Sequence, residues 1–195
     1  MVKFKDFLDK AKEAAKKGLE LAKTQMEFQK LLSDFDEIVG SVVSDILQSN
    51  GYRGMRQYEE GGYYVVELAV EDEGKVKHIM DRDIMRHYSP KDREKILNVF
   101  PDRVRISVRY SRKGQAGASI LSPAGYEDVT VSATLYYFVE RKGGLFSKVK
   151  RDTRTINLGS FSFKSSDYID YDNRQINRQK LREYLEQKLR GYGLI

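Results

Sequence analysis

Two stretches of strict alternation constrain this chain more than any other feature. Between residues 103 and 110, Val104, Ile106, Val108 and Tyr110 alternate with Arg103, Arg105, Ser107 and Arg109. Between residues 129 and 139, Val129, Val131, Ala133, Leu135, Tyr137 and Val139 alternate with Thr130, Ser132, Thr134, Tyr136 and Phe138. A period of two is the β-strand period, in which successive side chains point to opposite faces. Each stretch therefore has an apolar face to bury and a polar face to leave in solvent.

The neighbouring segments supply the rest of a sheet. Tyr52–Tyr58 and Tyr63–Asp72 flank Glu59-Glu60-Gly61-Gly62, which reads as a hairpin turn, and Tyr64, Val66, Leu68 and Val70 share one face of the second arm. Val149–Phe163 reads as a returning strand in which Gly159 marks a bulge. Short, hairpin-like links and the lack of strand–helix–strand alternation predict an α+β fold, with an antiparallel sheet of about five strands packed with helices.

Helical spacing appears elsewhere. Phe4, Leu8, Ala11, Ala15, Gly18 and Ala22 recur at steps of four and three, predicting a helix over 2–31 with a stripe of mostly small residues. Asp34 followed by Glu37 resembles a capping box. A more apolar helix follows through Leu32, Phe35, Ile38, Val39, Val42, Val43, Ile46 and Leu47, ending at Asn50-Gly51. Lys75–His87 reads as a helix, Ser89-Pro90 as the start of a short helix over Lys91–Val99, and Asn173–Arg190 as a closing helix. The domain reading is an amphipathic N-terminal helix over 1–31, an appendage or oligomerisation element, and an α+β domain over 32–195.

Composition narrows the chemistry. With no cysteine, disulfides, thiolate catalysis and Cys-ligated metals are excluded. No apolar run approaches the roughly 20 residues that cross a bilayer as a helix, and the N-terminus lacks a signal-like apolar core, so the expectation is a soluble, cytoplasmic protein. The formal net charge of +6 is unevenly distributed. Residues 31–102 carry nine basic against fifteen acidic side chains, whereas residues 103–165 carry twelve against four. Positive charge concentrated in this way points to an anionic partner.

Motifs for catalysis or cofactors are not found. His78 and His87 are nine residues apart on one helix and face about 180° from each other, so with Asp81 and Asp83 they cannot surround one ion. Lys113–Ser119 lacks the Gly-Lys-Ser/Thr ending of a phosphate loop and reads as a surface loop. Asp167, Asp170 and Asp172 lack the glycine and terminal glutamate of a calcium loop. No metal, cofactor or catalytic residue is assigned.

Two candidate binding regions remain. The first is the outward face of the basic strands: Arg103, Arg105 and Arg109, with Tyr136 beside them. The second is the hairpin formed by Arg141, Lys142, Leu145, Phe146, Lys148, Lys150 and Arg151, in which two large apolar residues are flanked by five cations. The resulting expectation is a non-catalytic binding or assembly module that docks an acidic surface through this face and hairpin. Its N-terminal helix would pack on a protein partner or a second copy. Arginines interleaved with hydroxyls and aromatics also suit phosphate contacts and base stacking, making a nucleic-acid-binding protein the alternative. An enzyme with an unrecognised site is third. Peripheral membrane contact through Phe4, Phe7 and Leu8 among Lys3, Lys5, Lys10 and Lys12 is less favoured, because the small-residue stripe buries little area.

Overall fold

The alternating segments form the centre of a single five-stranded sheet. The computed structural model describes residues 2–112, 127–143, 148–170 and 173–195, with side chains from Asp9 on, excepting Arg112 and Glu127. The strands are β1 (Tyr52–Glu60), β2 (Tyr63–Val70), β3 (Ile96–Arg112), β4 (Glu127–Arg141) and β5 (Lys150–Lys164). All neighbours pair antiparallel in the order β1-β2-β3-β4-β5, a meander in which each strand lies beside the next in sequence. Gly61 and Gly62 both have positive φ, +58° and +79°. A two-residue hairpin loop of this kind matches the twist of the strands it joins. β1 thus continues to Glu60, two residues beyond the expected end.

Five α-helices are described. They are α1 (Val2–Ser33), α2 (Phe35–Gln48), α3 (Glu73–His87), the short α4 (Pro90–Arg93) and α5 (Arg178–Gly191). α2 and α5 lie on the sheet's apolar side, where Phe35, Val39, Val43, Ile46 and Leu47 of α2 and Leu181, Leu185 and Leu189 of α5 are fully buried. They meet Val104, Ile106, Val108, Val129, Val131, Ala133, Leu135, Tyr137 and Val139, also fully buried. Burying one such aliphatic or aromatic side chain stabilises by about 1.5–3 kcal/mol, so this layer holds the fold together. Val76 and Met80 extend it along α3.

Three boundaries differ from the sequence expectation. The helix expected over Lys91–Val99 stops at Arg93, and β3 begins at Ile96, because the last residues of β4 extend far enough to pair with Ile96–Pro101. Pro101, which has no N–H to donate, sits beside a register shift between Pro101 and Arg103, where a bulge removes the need for one. The closing helix starts at Arg178, not Asn173. Asn177 caps it by accepting the Lys180 amide at 3.0 Å, while Ile169–Asp170 and Gln175–Ile176 form a separate two-stranded ribbon. The break at Asp34 is present without the expected capping box: the Asp34 side chain accepts no cap hydrogen bond, and Asp36 accepts the Glu37 amide instead.

Close approaches fix how helix and sheet fit. A Cβ added at Gly40 on α2 would lie 2.4 Å from Cε1 of Tyr64 and 3.2 Å from Cγ2 of Val66. On the neighbouring edge strand, the hydroxyl of Tyr52 donates to the carbonyl of Leu194 at 2.7 Å, tying β1 to the C-terminal residues. Phe161, Phe163, Tyr168, Tyr184 and Tyr192 form a ring cluster between β5 and α5, with Phe163 and Tyr168 edge-on at 5.2 Å. α1 spans about 48 Å at 1.5 Å per residue. It meets α2 at its C-terminal end and leaves Leu19, Leu21 and Met26 exposed.

Gly40→Ala is expected to destabilise the chain by about 1–3 kcal/mol through overpacking against Tyr64, measured by urea unfolding, with Gly18→Ala, which meets nothing, unchanged or more stable. Burial, with the charge of Asp72, raises the Tyr52 pKa above its ordinary 10.0, and burial pushes Tyr168 up to about 12. A folded-state pKa above the unfolded value gives stability that is complete below pH 10 and lost as the pH rises. Unfolding midpoints should therefore fall above that pH, less steeply in Tyr52→Phe.

Candidate functional site

The face of the sheet away from the helices is open, and the register brings the expected arginines onto it. Arg103, Arg105 and Arg109 stand opposite Tyr136, Thr134 and Thr130 of β4. On the other side, Arg105 stands opposite Glu67 and Ser107 opposite Val65. Hydroxyls continue across β4 and β5, where Thr130 and Ser162 share a hydrogen bond at 2.9 Å and Ser132 faces Ser160.

The arginines are not free cations. Arg103 lies with its guanidinium 4.4 Å from the Tyr136 ring centroid, 2.5 Å from a carboxylate oxygen of Asp102 and 3.6 Å from one of Glu67. Arg105 pairs with Glu60 and lies 6.0 Å from the ring of Tyr58, whose hydroxyl donates to Glu67 at 2.9 Å. Arg109 lies 5.4 Å from the ring of Tyr63. The Nε atoms of Arg103 and Arg105 are shut off from solvent without a hydrogen-bond partner. Val65 points to this face yet is fully buried, between Tyr58 on β1 and Ser107 on β3. The surface is a layer of arginine, carboxylate and aromatic groups in mutual contact.

The far end of β4 and β5 splits the expected hairpin patch in two. Arg141 points to the helix side, where it pairs with Asp152 and lies 5.2 Å from the ring of Tyr88. Lys150 stands opposite Arg141, 3.8 Å from Asp152. Arg151 points to the open face, 4.2 Å from the Phe138 ring, 6.0 Å from the Phe100 ring and 4.0 Å from Glu140. Lys142 is fixed by its backbone, whose amide donates to the carbonyl of Lys95 at 2.8 Å, and its side chain is exposed, as is that of Lys148. Leu145 and Phe146 lie outside the described residues, as does the 113–119 loop.

Sequence reading missed Tyr58, Glu60, Glu67 and Phe100 on the open face. Glu67 had a signal, since it alternates outward between Val66 and Leu68. Phe100 fell where a helix was expected to end, so its strand face could not be assigned.

On the helix side, one carboxylate gathers a polar cluster. Asp83, 8% exposed, accepts from the Tyr137 hydroxyl at 2.6 Å and from Arg154 Nη2 at 2.9 Å and Nε at 3.2 Å. His87 Nδ1 lies 2.9 Å from its other oxygen. Burial and the hydrogen bond to Asp83 drive the Tyr137 pKa far above its ordinary value, which holds the hydroxyl protonated. That is the reverse of what activating it as a base or nucleophile requires. The cluster joins α3 to β4 and β5. His78 does not pair with Asp81, which binds Lys77 at 3.0 Å instead. No group of three His, Asp or Glu side chains that could hold a metal ion occurs among the described residues. None of the described helices is long and apolar enough to cross a membrane.

No protein family, curated protein or solved structure matches this chain.

Asp83→Asn removes the counter-charge of Arg154 and is expected to destabilise by about 2–4 kcal/mol, against about 1 kcal/mol for Tyr137→Phe. Chemical denaturation of both single variants and the double variant measures this, and the double should cost less than the sum.

Proposed function

We propose that this chain is a non-catalytic binding or assembly module whose working surface is the open face of the sheet and whose occupant is a protein. The observation that supports this reading is the pairing of aromatic rings with arginines on that face: Tyr136 under Arg103, Phe138 and Phe100 under Arg151, and Tyr63 under Arg109. Tyrosine, phenylalanine and arginine are the types enriched in protein interfaces, and side chains already held in place lose less entropy on binding. Lys142 and Lys148 at one end favour an acidic rim on the partner. α1 adds an assembly element, since Leu19 and Met26 are 74% and 72% exposed and a neighbouring helix would cover them.

The nucleic-acid reading uses the same face. Its support is weaker, because Arg103 and Arg105 are engaged by Asp102, Glu67 and Glu60 and so would neutralise fewer phosphates and release fewer of the nucleic acid's counterions. Titrating nuclease-treated protein with labelled single- and double-stranded nucleic acid across a salt series separates the two. The expected outcome is weak binding that Arg105→Glu does not change; a steep salt slope abolished by Arg105→Glu would replace the protein reading with the nucleic-acid one. In cross-linking from native cells, protein adducts formed by the wild type should disappear in Tyr136→Glu and persist in Lys188→Glu, which alters the helix side.

A further inference from the structure

Behind the sheet, on the helix side, a cleft of about 350 Å³ opens between α3, β5 and the end of α5. It is separate from the open face. Three turns of α3 contribute His78, Arg82 and Arg86, spaced four residues apart and therefore on one side of the helix. Arg190 enters from α5, and the walls are Ile79, Ile156, Leu158 and Tyr192. We infer that this cleft is a binding site for a small phosphorylated compound, with Arg82, Arg86 and Arg190 holding the phosphate oxygens and the apolar wall holding the rest.

The charge balance carries the inference. Asp83 is the one carboxylate among the described residues lining the cleft, and Arg154, Tyr137 and His87 already engage it. Arg82, Arg86 and Arg190 make no ion pair or hydrogen bond among the described residues, and neither does His78. Guanidinium groups four apart on a helix repel one another, and here no fixed counter-charge relieves them. Arg103 and Arg105 on the open face differ, since acids come to meet them there. An anion in the cleft supplies the missing charge.

Ligand chemistry follows from the donors. Three planar guanidinium forks offer more N–H groups than the two oxygens of a carboxylate can accept, whereas a phosphate monoester or diphosphate has oxygens for all of them. The cleft volume lies in the range of small-molecule pockets, roughly 300–1,000 Å³. One wall is built to close tolerance. A Cβ on Gly193, whose φ is +74°, would sit 2.5 Å from His78 Nε2, and one on Gly159 would sit 3.0 Å from the Tyr192 ring. Those two glycines let the C-terminal residues approach α3 and β5 and position the His78 and Tyr192 rings.

Calorimetric titration of the full chain with sodium pyrophosphate and with adenosine 5′-diphosphate, against sodium sulfate at equal ionic strength, tests the site. The expected result is saturable binding of both phosphate compounds, weakened about tenfold or more by Arg82→Gln and by Arg86→Gln. Arg182→Gln, on α5 and paired with Glu186 at 2.9 Å, should leave the affinity unchanged. All three side chains are at least one-third exposed, and thermal unfolding of each variant verifies its fold. In amide spectra of the wild type, Gly191 and Gly193 should shift with the titration. No saturable binding, equal binding of sulfate, or an equal loss in Arg182→Gln would each overturn the inference.

Discussion

The packing of one sheet face against α2 and α5 is the interaction on which everything else depends. Nine inward side chains of β3 and β4 are completely buried there, and they meet two rows of aliphatic residues on the helices. Because side chains alternate along a strand, that burial also sets the other face: Arg103, Arg105, Arg109 and Tyr136 must point away from the helices. A shift of one residue in register would place arginines in the core. The open face is thus a by-product of the core, fixed with the same accuracy.

The two faces treat charge differently. On the open face, acids from β1 and β2 reach arginines that lie far from them in sequence; Arg105 and Glu60 are 45 residues apart. Behind the sheet, Asp83 collects Arg154 and Tyr137 from neighbouring strands, while arginines nearer the cleft mouth have no such partner. A count of charge along the chain merges these situations. The segment with the greatest positive excess is the one whose arginines are most often paired, and two of the three unanswered cleft arginines come from α3, in a stretch whose total is acidic. Charge density in sequence is thus a poor guide to where an anion would be attracted here.

Much of the architecture was legible in the residues because it rests on local rules. The alternation of 103–110 and 129–139, the Gly61-Gly62 turn, the apolar stripe of α2 and the Asn50-Gly51 stop each express a preference a short segment holds by itself. Where reading failed, pairing with another segment decided. Ile96–Pro101 became strand because the end of β4 was available to pair with it. Residues 173–177 became a cap and a ribbon because Ile169 and Asp170 reached Gln175 and Ile176.

By itself, then, the sequence determined a half-buried antiparallel sheet with a helical cover, the residues of its inner face, and the set of side chains left facing outward, because periodicity converts directly into faces. Only the tertiary structure decided which outward charges neutralise one another, that Arg141 and Arg151 stand on opposite sides of the sheet, and that His78, Arg82, Arg86 and Arg190 share a cleft. Those outcomes depend on contacts between residues tens to more than a hundred positions apart. Such contacts form only once the core has fixed the strand order and the helix positions, and no local pattern encodes them.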